Sequence, residues 1–167
     1  DRILKQLNKG FDSQTIRSSF AVLKKYPILY NGYFIYGNIG ETEEEMLSIA
    51  PFAKEIGVDI ITFHKLRIEQ FSPLRELAEN TPGYHVTDTG ALYSDTYSHA
   101  ALKKIARKIK FSFYRPSRYF NILKRCFFEV KFFTFGEMMQ FLAALPLVLK
   151  GVIAREIQKG RLSDSLR

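Results

Sequence analysis

Apolar positions recur at helical spacing over most of the first 57 residues and change to strand-like spacing twice. Residues 2–9 put Ile3, Leu4 and Leu7 on one face and stop at Gly10, the left-handed position that ends many helices. Asp12 or Ser13 can cap the next helix, whose stripe is Ile16, Phe20 and Leu23, and Pro27 ends it. Tyr33, Phe34, Ile35 and Tyr36 then break the helical period; aromatic and β-branched residues in a row suit a pleated surface. Gly37 and Gly40 mark a turn, and Thr42 with Glu45 forms a Thr-x-x-Glu capping box, with acidic residues 43–45 at the positive end of a helix. In that helix Met46, Ile49, Ala50, Ala53 and Ile56 face inward. Pro51 is expected to kink it or split it in two, and Gly57 closes it. A second strand is expected over Val58–Leu66, with Ile61, Phe63 and Lys65 on one side and Ile60, Thr62, His64 and Leu66 on the other. A helix between two strands implies parallel pairing with a right-handed crossover.

Beyond Leu66 the pattern loosens. Pro73, Pro82 and Gly83 punctuate a loop region in which residues 74–79 make a short helix. A longer helix is expected from about Asp95 to Phe113, carried by Tyr97, Ala101, Ile105 and Ile109 and ended by Pro116. Residues 118–133 alternate basic and aromatic side chains, and a last helix is expected over 136–158. Its apolar centre, between Gln140 and Lys150 and interrupted by Pro146, is far shorter than the ~20 residues that cross a bilayer. The fold class read from this order is α/β, a βαβ unit within residues 1–80 followed by a helical basic extension over 81–167.

Charge sharpens the division. Residues 1–101 carry a net −3, whereas residues 102–167 carry +11, with 15 Lys and Arg against 4 Asp and Glu. That asymmetry points to an acidic partner for the tail, be it membrane lipid, nucleic acid or protein, or else to a solubilising face. No RNP-like strand motif or helix-turn-helix signature is present, which weighs against nucleic acid. Fifteen Phe and nine Tyr argue against disorder. The single cysteine, Cys126, excludes an internal disulfide and any site built from several thiolates, and fits a reducing, cytoplasmic setting. The opening Asp1-Arg2 leads into a polar helix, so the chain reads as a piece of something longer.

In α/β units chemistry collects at the C-terminal ends of strands, where glycine turns leave room for a ligand. On that logic Ile35, Gly37, Gly40 and Glu41 line one edge of a candidate site and Thr62, His64 and Leu66 another. The alternative is that these residues simply build a βα turn, with His64 a hydrogen-bonded wall residue. His85 and His99 lie outside the strands without carboxylates at metal-like spacing and read as solvent-facing. Neither Gly-x-Gly-x-x-Gly nor Gly-Lys-Ser/Thr occurs, which excludes Rossmann and P-loop nucleotide sites.

Phe34-Ile-Tyr-Gly-Asn-Ile-Gly-Glu-Thr-Glu-Glu-Glu45 resembles the fifth strand and following turn of radical S-adenosylmethionine (SAM) enzymes, with Ile39 where proline is common. Ile3–Gly10 is similar to the segment after their fourth strand, and Leu66–Asn80, with Ser72-Pro73-Leu74, to the region after the sixth. The resemblance implies that residues 1–80 are the last βαβ part of a partial (β/α)6 barrel whose first four strands lie upstream. It implies contact of Ile35 and Gly37 with the SAM adenine. It also implies a [4Fe–4S] cluster held by three cysteines near the first strand, which one cysteine cannot supply. This chain by itself is therefore expected not to cleave SAM.

Ala101–Pro116, ending Phe-Tyr-Arg-Pro, resembles a segment of cobalamin-binding radical SAM proteins similar to magnesium-protoporphyrin IX monomethyl ester oxidative cyclase. The resemblance implies a parent that performs methyl transfer or ring formation on a large apolar substrate, with cobalamin on an upstream domain. Expected partners are the upstream half of the same polypeptide, an anionic membrane surface beneath residues 115–131 and the helix after them, and a second copy through the exposed edge of the first strand. The alternative class is a non-enzymatic basic helical module binding membrane or nucleic acid.

Overall fold

The computed structural model describes the backbone of residues 1–164 and the side chains of 1–147, 150 and 151. Contacts divide it into two compact units, Asp1–Ile122 and Leu123–Arg167.

In the first unit α1 (Arg2–Gln6) and α2 (Ser13–Leu23) precede β1 (Asn31–Tyr36), then come α3 (Glu43–Leu47), α4 (Ile49–Ile56) and β2 (Ile60–Lys65). The two strands pair parallel, Asn31 opposite Ile60 through Tyr36 opposite Lys65. The Thr42–Glu45 capping box is formed on both sides, Thr42 Oγ1 accepting from Glu45 N and Glu45 Oε2 accepting from Thr42 N. The split between α3 and α4 falls at Ser48, which leaves Pro51 in the first turn of α4, where its missing N–H has no helical partner to lose. Gly57 closes α4 at φ 80°.

Residues 66–98 hold more order than their sequence announces. After α5 (Pro73–Glu79), β3 (Tyr84–Val86) and β4 (Leu92–Ser94) form an antiparallel hairpin where a loop is expected from Pro and Gly spacing alone. Three-residue strands are too short to show a period. The helix that follows, α6 (His99–Phe113), starts at His99 rather than Asp95, because Ser98 Oγ caps it by accepting from Ala101 N. Pro116 opens α7 (Pro116–Lys124).

One core lies on one face of the β1–β2 sheet. Tyr36 and Ile61 meet Met46, Ile49, Ala50, Ala53 and Ile56 of the crossover helices, and α6 adds Leu102, Ile105, Ile109 and Phe113. α6 completes this core, and the first compact unit runs to Ile122. A second cluster of Ile39, Leu66, Ile68, Ala78 and Leu92 packs α5 and the hairpin against the C-terminal ends of the strands. In the second unit a π-helical turn (Arg125–Glu129) leads to α8 (Phe135–Asp164), which contains Pro146. Among the described residues no helix is long and apolar enough to cross a membrane.

Candidate functional site

The face of the sheet opposite the helices is uncovered. Strand alternation turns Tyr33 and Ile35 of β1 and Thr62 and His64 of β2 to that side, with Tyr33 opposite Thr62 and Ile35 opposite His64. Tyr33 is 73% exposed and Ile35 42%, and His64 is exposed as well. Of the residues singled out from sequence, Ile35, Thr62 and His64 thus share one open face.

The other four stand elsewhere. Leu66 follows the end of β2 and is buried among Ile39, Ile68 and Leu92, because the chain leaves the strand period there to pair Arg67 with Ala91 of the hairpin. Glu41 is 7% exposed, and its Oε2 accepts from Asn38 N at 2.8 Å and Asn38 Nδ2 at 2.9 Å, closing the turn upon itself. Burial pushes the Glu41 carboxyl above its ordinary range, an effect the two Asn38 hydrogen bonds oppose. Gly37 is buried at φ 75°, with Leu102 so near that an added Cβ would lie 3.2 Å from its Cδ2. Gly40 donates its N–H to Tyr84 Oη at 2.6 Å, and its carbonyl accepts from Arg2 Nη2 at 2.7 Å. The turn is therefore clamped from α1 and from the hairpin, with Glu41 bonded back to Asn38 and Leu66 packed in the cluster beneath the strand ends.

Sequence reasoning passed over Asn38. It is 3% exposed, and its Oδ1 has no hydrogen-bond partner among the described residues. A buried acceptor without a donor is costly, and at the end of a strand it can accept from an N–H of a ligand or an O–H of a water. The signal for it in the sequence is an asparagine set between two glycines of a turn at a strand end.

The two edges of the sheet differ. On β2 the outward backbone groups of Ile61 are both taken by one side chain: Tyr114 Oη accepts from Ile61 N and donates to Ile61 O, each at 3.0 Å. Arg118 reaches the Val58 carbonyl beside it and stacks its guanidinium 3.9 Å above the Phe113 ring. On β1 the outward groups belong to Asn31, Tyr33 and Ile35, and no described residue hydrogen-bonds to them. Nothing in the spacing of Tyr114 and Arg118 marks them as edge residues; the one local signal is the Phe113-Tyr114-Arg115-Pro116 run.

The two histidines read as solvent-facing are exposed but not isolated. His85 Nε2 lies 2.7 Å from Asp95 Oδ1, His99 Nδ1 lies 2.7 Å from Lys65 Nζ, and Tyr93 packs between the two rings. No group of His, Cys, Asp and Glu among the described residues is arranged to hold a metal ion. Comparison with protein-family models, curated proteins and solved structures gives no match to the chain.

Proposed function

We propose that residues 1 to about 80 supply the last two strands of a partial (β/α)6 barrel in a radical SAM enzyme, with α6 and the start of α7 sealing its final edge. The observation that carries this reading is the asymmetry of the sheet. At the start of β2 Tyr114 takes both outward groups of Ile61 and Arg118 the Val58 carbonyl just before the strand, whereas no described residue hydrogen-bonds to the outward groups of Asn31, Tyr33 and Ile35 on β1. Those of Phe63 and Lys65 farther along β2 are likewise without a described partner. A strand with unpaired backbone groups and an exposed Tyr and Ile is a template for further strands, and a barrel wall uses both features.

On this reading the face bearing Ile35, Thr62 and His64 looks into the barrel, and Ile35 with Gly37 borders the adenine of SAM. The residues fit that group in part: Ile35 offers an apolar surface and the Asn38 Oδ1 an acceptor at the same strand end. They do not fit a [4Fe–4S] cluster, since one cysteine cannot replace the three thiolates it needs. What this chain contributes is wall, turn and edge seal. The parent enzyme would carry out methyl transfer or ring formation on a large apolar substrate, with cobalamin bound upstream.

The coding sequence ahead of Asp1 tests the proposal. It should encode four further β/α units and a Cys-x-x-x-Cys-x-x-Cys motif, roughly 100 to 150 residues before Asp1, as a partial barrel requires. A longer polypeptide carrying these should bind iron and SAM; an upstream region without the three cysteines overturns the reading.

A further inference from the structure

The second unit leaves Phe128, Phe132, Phe133, Phe135 and Phe141 exposed. From Leu123 to Leu147 no described residue is buried. Phe127 of the π-helical turn, Phe132 and Phe133 of the linker and Phe141 of α8 form one chain of rings, with centroid separations of 5.4 Å (Phe127–Phe133), 5.9 Å (Phe127–Phe141) and 5.7 Å (Phe132–Phe133). Even these contacting rings stay open to solvent: Phe132 is 66% exposed, and Phe135 next to them is 75% exposed. The exposure is not that of a frayed end. Thr134 and Glu137 form a reciprocal cap that starts α8, Glu137 Oε2 accepting from Thr134 N and Thr134 Oγ1 accepting from Glu137 N. The apolar knuckle is thus held in place with nothing described over it.

Charge identifies what covers it. Lys124 and Lys131 are exposed on either side of the turn that bears Phe128. The second unit's sequence, residues 123–167, holds eight cationic residues against four acidic ones. Exposed rings flanked by Lys124 and Lys131, on a unit in which no helix among the described residues is long and apolar enough to cross a membrane, match the interface of an anionic bilayer: Lys at the head groups and Phe at the top of the acyl chains. A nucleic acid would use the cations but leave most of this ring surface wet, and a second basic copy would add like charge to like.

We infer that residues 123–147 dock this chain peripherally on an anionic phospholipid surface, with Phe132 and Phe135 entering the interface and Lys124 and Lys131 against the head groups. This stands on the second unit alone and is independent of the barrel reading.

The test is sedimentation of the full chain with vesicles of phosphatidylcholine alone and of phosphatidylcholine with phosphatidylglycerol. A double variant, Phe132→Ser with Phe135→Ser, removes exposed rings, and a second, Lys124→Glu with Lys131→Glu, leaves the rings and reverses two charges. Circular dichroism should match the wild type for both, since all four side chains are exposed. The expected result is binding to the anionic vesicles only, weakened by salt and weakened about tenfold or more in either variant. Equal binding to both vesicle types, no binding to either, or variants that bind like the wild type would overturn it. So would binding to a single-stranded DNA oligonucleotide without vesicle binding, or dimerisation abolished by the Phe double variant without vesicle binding.

Discussion

The hydroxyl of Tyr114 meets both backbone groups of Ile61 at 3.0 Å, accepting from the N–H and donating to the carbonyl. One side chain thus plays the part of a neighbouring strand at a single residue. It does so because Phe113, fully buried at the end of α6, fixes where the next residue stands, and the two rings meet edge to face at 4.9 Å. Tyr114→Phe keeps the ring and removes both hydrogen bonds. We expect a loss of about 1–3 kcal/mol with an unchanged slope in urea unfolding. A loss within error would mean that the edge is satisfied by water and not sealed.

Two glycines make a graded test of the turns. Gly37 lies at φ 75°, where alanine is strained, but its nearest neighbour is the flexible end of Leu102; Gly37→Ala should cost about 1–2 kcal/mol. Gly90, at φ 78°, would set a Cβ 2.4 Å from the backbone oxygen of Ile68, which cannot move without breaking the Ile68 N to Gly90 O hydrogen bond. Gly90→Ala should therefore lower the thermal midpoint clearly more than Gly37→Ala, and the reverse order would contradict the packing of the hairpin.

Glu41 makes a pH prediction with a definite sign. Its carboxyl is held above the ordinary value of 4.5 by burial, so the native state binds this proton more tightly than the unfolded chain does. Its contribution is fully present below 4.5 and is lost as pH rises through the raised value. Glu45, Glu55 and Asp12, held low chiefly by hydrogen bonds from Arg2, Arg17 and Thr15, slope the other way on the acid side. Glu41→Gln keeps an oxygen to accept from Asn38 and cannot ionise. Its stability relative to the wild type should rise with pH above 4.5, as read from denaturant midpoints across the range. Parallel curves would show that Glu41 is not desolvated.

The α3 start gives a further check. Thr42 Oγ1 accepts from Glu45 N at 3.2 Å, and Arg2 Nη2 clamps Glu45 Oε2 at 2.6 Å from α1. Thr42→Ala should cost about 1 kcal/mol in chemical denaturation. Thr42→Ser should recover most of it.

Much of the βαβ unit was legible because each boundary had a local chemical cause. Asp12 caps α2, Thr42 and Glu45 open α3, and Gly57 stops α4; the inward set Met46, Ile49, Ala50, Ala53 and Ile56 follows from helical spacing alone. What escaped depended on distant contacts. The hairpin needed Tyr84, Val86 and Leu92 to find Ile39 and Leu66, and nothing in three-residue strands announces that. The Thr87-Asp-Thr-Gly90 turn between them was the one local hint. Three of the seven candidate residues share one face because alternation holds to His64, whereas Leu66 lies past the strand end and Glu41 turns back to Asn38. The pairing of His85 with Asp95 joins residues ten apart, beyond the reach of any spacing rule.

The account rests on the bare edge of β1 being the place where earlier strands join. Amide hydrogen exchange at Asn31, Tyr33 and Ile35 tests this most directly, with Ile61 as the internal reference. In the present chain the three β1 amides should exchange quickly while Ile61, held by Tyr114, is protected. On the proposed reading, in a polypeptide that also carries the four upstream strands, the β1 amides should become as protected as Ile61. Protection of those three amides in the present chain, or none gained in the longer one, would contradict the account.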